Sequence, residues 1–283
     1  MELIRLSEDN ISEYAQTIPE DIAENIGRTY YRGIVGTEGG TPVAGIIWLI
    51  QNTMSDEKRT SHIVWLYLAE DEYAGELFDE YKKMVENEKV TSSSFALPAR
   101  SGKALKPVLK ANGFTVSLME GDEIVARISE IAEIGFLKKI PATDDVKPLR
   151  SITQRGFNLA VRRMMTRGYY GLCEDIEYLP RMFFENDVSC YIERDGVISG
   201  LFLCHKTASG RLKVELMAAV GKDYVKMLPM LLAGAYRSAS SLYPPETEVV
   251  IDRHNYASLA LGEKLFPRGF GIPMYIGSRT ETA

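Results

Sequence analysis

Glu215 in KVELMAAV and Asp252 in TEVVIDRH are single carboxylates set in apolar, strand-like segments. A carboxylate in that setting accepts a proton if it faces a cleft, and is an ordinary solvated strand residue if it does not. Beyond the first segment come Gly221, Lys222 and Lys226. A glycine lets backbone N–H groups approach an anion, and two lysines add modest charge, so this turn suits phosphate. Pro229 reads as the first residue of the helix that follows. In GYYGLCEDIEYLP, Tyr169, Tyr170 and Tyr178 stand beside Glu174, Asp175 and Glu177. Aromatic faces and carboxylates suit a cationic amine, and the same run also reads as a helix with one apolar and one wet face. Arg162, Arg163 and Arg167 just before it read as helix surface. His62, His205 and His254 have no ligand-like spacing to Cys, Asp or Glu, so no metal site is expected. No Walker loop, G-x-G-x-x-G or G-x-S-x-G motif occurs.

The elements that must position these residues belong to a chain of 283 residues, enough for two domains. Hydrophobic residues at 45% and charged residues at 25% supply a buried core and a wet surface. The net charge of −6, with no Lys/Arg block, argues against a nucleic-acid partner. The longest apolar run, Met227 to Tyr236, contains Pro229 and is too short to span a membrane. The amino terminus is mixed and acidic, unlike a signal peptide. The three cysteines, Cys173, Cys190 and Cys204, form no C-x-x-C pair. Reduced thiols in a cytoplasmic protein are expected. The oligomeric state leaves no mark in the sequence.

The chain repeats itself. ELIRLSEDNI resembles FLKKIPATDDV at 136–146. YYRGIVGTEGGTPVAGIIWLI resembles SCYIERDGVISGLFLC, each two strands around a glycine turn. SHIVWLYLAEDEYAGELFDEYKKMV and RLKVELMAAVGKDYVKMLPMLLAGAY each run from a strand into an amphipathic helix, and TSSSFALPA plus SGKALKPVLKANGF answers TEVVIDRH plus NYASLALGEKLFPRGF. Gly45 and Gly200 stand 155 residues apart, Tyr73 and Tyr224 151 apart. Four units in one order predict a duplication. The boundary is expected after EIVARIS, giving domains 1–133 and 134–283.

This order of elements resembles the GNAT superfamily of acyl-CoA-dependent N-acyltransferases, twice over. The family phrase N-x-x-A/S-x-x-L-Y-E-K-x-G-F is met by Asn255, Ser258, Leu261, Glu263 and Lys264, and in the first copy by Leu105, Gly113 and Phe114. A generic amphipathic helix capped by Asn255 reads the same residues differently. The resemblance implies an α+β fold: two tandem domains, each a mostly antiparallel mixed sheet flanked by helices. It implies acetyl-CoA or a related acyl-CoA as co-substrate, and a small amine as acceptor. It places Glu215 as the base and the backbone of Met217, Ala218 and Ala219 along the pantetheine arm. Gly221, Lys222, Lys226 and Asn255 would lie around the rest of the acyl-CoA. Two departures stand out. The tyrosine that serves the family as general acid is replaced by Gly262, and by Leu109 in the first copy. The family's Q/R-x-x-G-x-G/A loop is missing: Val225, Leu228 and Met230 fill its slots in the second copy, and Glu76 beside Glu70, Asp71 and Glu72 in the first. The alternative is a catalytically silent binding or scaffold protein.

Overall fold

The structure is a computed structural model describing residues 1–53, 58–121, 123–135, 137–167, 176–252 and 271–281. Its elements form two compact units, one of residues 1–121 with 272–283 and one of residues 122–271. The first unit contains β1 (Glu2–Arg5), α1 (Glu20–Ala23), β2 (Tyr31–Glu38), β3 (Thr41–Thr53) and β4 (Lys58–Leu68). It continues with α2 (Ala74–Asn87), β5 (Val90–Pro98), α3 (Ala99–Ala111) and β6 (Ser117–Glu120). The second contains β7 (Glu123–Arg127), α4 (Ile128–Ile131), β8 (Val146–Pro148), α5 (Gln154–Met165), β9 (Cys190–Arg194) and β10 (Val197–Lys206). It ends with β11 (Leu212–Ala219), α6 (Tyr224–Leu242) and β12 (Glu248–Asp252), after which β13 (Pro273–Thr280) returns to the first unit.

Each unit is a mixed sheet between two helical layers. The first sheet has the order β1-β2-β3-β4-β5-β13-β6 and the second β7-β12-β11-β10-β9-β8. Only β4 with β5 and β11 with β12 run parallel. In the first unit Leu77, Phe78 and Tyr81 of α2 join Leu105 and Leu109 of α3 over Ile46 and Trp48, and the opposite face packs Tyr14, Ile18 and Ile26 on Val35 and Ile47. In the second, Leu231 and Ala235 of α6 cover Phe202 and Met217, and Phe157, Val161 and Met164 of α5 cover Leu201, Leu203 and Leu216. Spacings of three and four residues along α2 and α5 create the apolar stripes that these layers bury.

The retained end of the first copy's phrase has a plain physical role. Gly113 (φ +83) takes the left-handed position after α3. Its N–H donates to the Lys110 carbonyl and the Phe114 N–H to the Leu109 carbonyl, which closes the helix as a Schellman motif. Leu109 and Phe114 then pack in one cluster, so the leucine in the tyrosine slot is a core residue.

A single cut after residue 133 does not describe the division. The strand expected to close the first half, β7, pairs with β12 over Ile124↔Ile251 and Val125↔Val250 in the second sheet. The final strand of the chain, β13, lies between β5 and β6 of the first sheet. The two halves have exchanged their last strands.

Candidate functional site

The duplication extends to the irregularities of the sheets. Between β3 and β4 the register passes from Ile47↔Trp65 to Trp48↔Ile63, leaving Val64 as an extra residue. Between β10 and β11 it passes from Leu203↔Leu216 to Cys204↔Val214, leaving Glu215. Val64 and Glu215 are 151 residues apart, the offset of Tyr73 and Tyr224. A second bulge falls at Val43 and Ser199, and the carbonyl of each accepts a hydrogen bond from the residue just beyond the end of a nearby strand, Ala69 after β4 or Val220 after β11. These bulges stand 156 residues apart. Gly45 and Gly200 are therefore one residue out of step. A side chain at Gly45 would meet Trp65 and one at Gly200 would meet Leu231, on opposite faces of their sheets. A one-residue slip in a strand always has that effect.

A bulge places two consecutive residues on one face. In β11 it turns Glu215 to the α5 side together with Leu216, while Val214 and Met217 stay on the α6 side. Glu215 is only 2% exposed, so it is not the solvated strand residue of the simplest reading. Its Oε1 lies 2.9 Å from Nδ1 of His205, itself buried on β10. The approach is close without being aligned as a hydrogen bond. The ring of Phe183 lies against the imidazole, with centroids 4.8 Å apart. Glu215 thus leans toward β10, the neighbour on the side away from β12. No motif joins His205 to Glu215, which stand ten positions apart across a hairpin.

On its other side β11 is paired with β12 for only part of its length. Its ladder with β12 covers Leu212↔Val249 and Lys213↔Val250 only. Beyond Lys213 that edge has no strand partner among the described residues. Met217, Ala218 and Ala219 lie on this stretch with buried side chains, so only their backbones are offered to a ligand. An open edge of this kind pairs with extended, amide-bearing partners. It leads into Gly221 (φ +101), then Lys222, and then the N-terminus of the 19-residue α6.

The turn is less positive than the lysines alone suggest. Asp223 occupies the N-cap of α6, and Lys226 stands 3.7 Å from it with both side chains exposed. Lys222, Asp223 and Lys226 together leave one net positive charge, against four carboxylates at Glu70, Asp71, Glu72 and Glu76 at the corresponding place in the first unit. Leu228 and Met230 lie inside α6, packed into or against its core cluster, and do not line the turn. Pro229 is the sixth residue of that helix, not the first. Cys204 is no candidate for a covalent intermediate, because burial pushes its thiol up to about 12. Cys190 is raised for the same reason. Arg162 pairs with Glu177 at 3.6 Å, on the surface where the basic run was expected.

Asn255, Ser258, Leu261, Gly262, Glu263 and Lys264 lie outside the described residues, as do Cys173, His254, and Tyr169, Tyr170, Glu174 and Asp175 of the aromatic run. Among the described residues no cluster of three or more His, Cys, Asp or Glu is placed to hold a metal ion. No helix among them is long and apolar enough to cross a membrane.

No family model matches the chain. No curated protein matches it. Its fold does match solved structures. A tandem GNAT protein from the clavulanic acid biosynthesis pathway superposes with a TM-score of 0.62 at 11% identity, over 100% of this chain and 99% of that one. A conserved protein from Enterococcus faecalis V583, described as a probable N-acyltransferase, gives 0.52 at 12% identity over 99% of this chain and 72% of that one. A GCN5-related N-acetyltransferase from Kribbella flavida gives 0.52 at 12% identity, over 84% and 87%. At such identities the likeness is one of fold.

Proposed function

From the premise that this chain has the fold of a tandem GNAT protein, we propose that its second unit transfers an acyl group from acetyl-CoA or a related acyl-CoA to a small amine. The observation that carries this reading is the edge of β11 beyond Lys213, without a strand partner among the described residues, running past the bulge at Glu215 into the Gly221 turn and α6. The pantetheine amides pair with the backbone of Met217, Ala218 and Ala219, and the pyrophosphate sits at Gly221 and Lys222 with Lys226 nearby. The thioester then reaches the level of the bulge, where Glu215 serves as the base. The amine nitrogen bonds to the thioester carbon, the C–S bond breaks, and one proton passes from nitrogen to the base. Gly262 supplies no proton donor, so solvent protonates the departing thiolate. The setting is a cytoplasmic one.

Titration calorimetry with acetyl-CoA, followed by thiol release across a panel of amines, tests the reading. One site per chain and acceptor-dependent thiol release are expected. Absence of binding at millimolar acetyl-CoA supports the other reading, a silent binding module, which the glycine and leucine in the two tyrosine slots favour.

A further inference from the structure

The register that relates the two units also locates a difference between their cores. Beside the bulge, Trp48 stands opposite Ile63 in the first sheet, and Cys204 stands opposite Val214 in the second. Ser61 and Leu212, each two residues before those partners, pair in parallel with Ser93 and Val249. Two residues further along, Ile251 therefore answers Phe95. The helices agree in the spacing of their buried positions: Leu77, Phe78, Tyr81 and Val85 in α2, and Met227, Leu228, Leu231 and Ala235 in α6. Ala235 thus answers Val85. The first unit fills the space between sheet and helix with Trp48, Phe95 and Val85, all fully buried. The second has Cys204, Ile251 and Ala235, and all three line an apolar cavity of about 50 Å³. An empty apolar cavity costs stability. Larger side chains close the same place in the first unit, so the fold does not impose the hollow.

We infer that this cavity receives the alkyl chain of the acyl donor, which makes butanoyl-CoA a better donor than acetyl-CoA; the inference rests on the acyltransferase reading. The lining includes Leu212 and Val214 of β11 and Val249 and Ile251 of β12, and the ladder between these strands ends within that span, at Lys213↔Val250. Val214 is the first residue beyond the ladder and the neighbour of Glu215, the level that the thioester reaches. Glu215 turns to the α5 side and Val214 to the α6 side. The amine and the acyl tail therefore meet the thioester from opposite faces of the sheet. No charged side chain lines the cavity, which suits an alkyl chain and penalises a polar group. A cavity of about 150 Å³ holds benzene, so one of about 50 Å³ has room for about two carbons beyond the methyl group that acetyl already carries.

Titration calorimetry with acetyl-, butanoyl- and octanoyl-CoA compares the full-length wild type with Ala235→Val, which copies the first unit. Each buried methylene is worth about fourfold, so the wild type should bind butanoyl-CoA about 10–15-fold more tightly than acetyl-CoA. Octanoyl-CoA should bind no more tightly than butanoyl-CoA. Ala235→Val should bind acetyl-CoA within about twofold of the wild type, lose the butanoyl advantage, and melt at or above the wild-type temperature. Cys204→Leu fills the cavity from the sheet side and carries the same comparison if Ala235→Val does not fold. A wild type that binds acetyl- and butanoyl-CoA within about twofold of each other overturns the inference and leaves the acyltransferase reading standing. So does a butanoyl advantage that survives the filled cavity. A wild type that binds none of the three overturns both.

Discussion

Glu215 shows how little a residue's type reveals about its work. KVELMAAV marks it as a carboxylate within a strand, but a bulge leaves no trace in apolar alternation, because from Val214 to Val220 every other residue is apolar. The sequence therefore left open which way Glu215 turns, and His205 passed unnoticed. Asp223 needs no structure to be seen: it stands between Lys222 and Lys226 in the sequence, and its charge cancels one of theirs. The pair at the bulge makes a prediction about single changes. Glu215→Val alone leaves the buried imidazole of His205 without its carboxylate, and should destabilise the second unit by about 3–5 kcal/mol in urea unfolding, with His205→Leu in the same background restoring most of it. A second prediction follows from Cys204. Its thiol is raised from an ordinary 9.0 to about 12 by burial. Above pH 9 the unfolded chain gives up this proton while the folded chain keeps it, so stability falls as pH rises toward 12 and is unaffected below 9. Cys204→Ala should unfold with a shallower decline between pH 9 and 11 than the wild type, as measured by thermal melts.

The individual elements were far more legible than their partners. Strand alternation, glycine turns and helical stripes gave the order of elements in both units, and the tandem GNAT fold followed from that order. The segment EIVARIS was rightly a strand over Glu123–Arg127 and then turned into α4. Its sheet was not legible, because local periodicity specifies a strand's faces and says nothing of a partner more than a hundred residues away. β13 carries the sharpest test. A methyl group on Gly277 would stand 1.7 Å from the Thr115 carbonyl oxygen and 2.7 Å from the Phe95 ring. Arg279, two residues on, lies over the rings of Phe114 and Tyr81 and pairs with Glu281 at 2.7 Å. Gly277→Ala should therefore destabilise the first unit by about 1–3 kcal/mol, and hydrogen exchange should show lost protection in β5 and β6 with the second unit little changed.

For the whole molecule, the exchange of last strands changes what counts as a half. Fragments 1–133 and 134–283 each lack a strand that the other carries: the first lacks β13, and the second lacks β7 beside β12. Neither should give a dispersed amide spectrum alone, whereas residues 122–271 should, and so should residues 1–121 joined to 272–283 by a flexible linker. Folding of 1–133 by itself would show that β13 is dispensable. The same exchange sets a timetable on the ribosome. The first unit's β6 ends at Glu120, and the strand that must slip between it and β5 begins at Pro273. About 150 residues are still to be made, roughly 8–30 s at 5–20 residues per second. For that interval β5 presents an unpaired edge along the nascent chain, where a neighbouring copy on the same message could pair with it first. The first sheet cannot close until β13 has been made, so the protein's yield in the cell should depend on translation speed and on chaperones that cover β5 meanwhile.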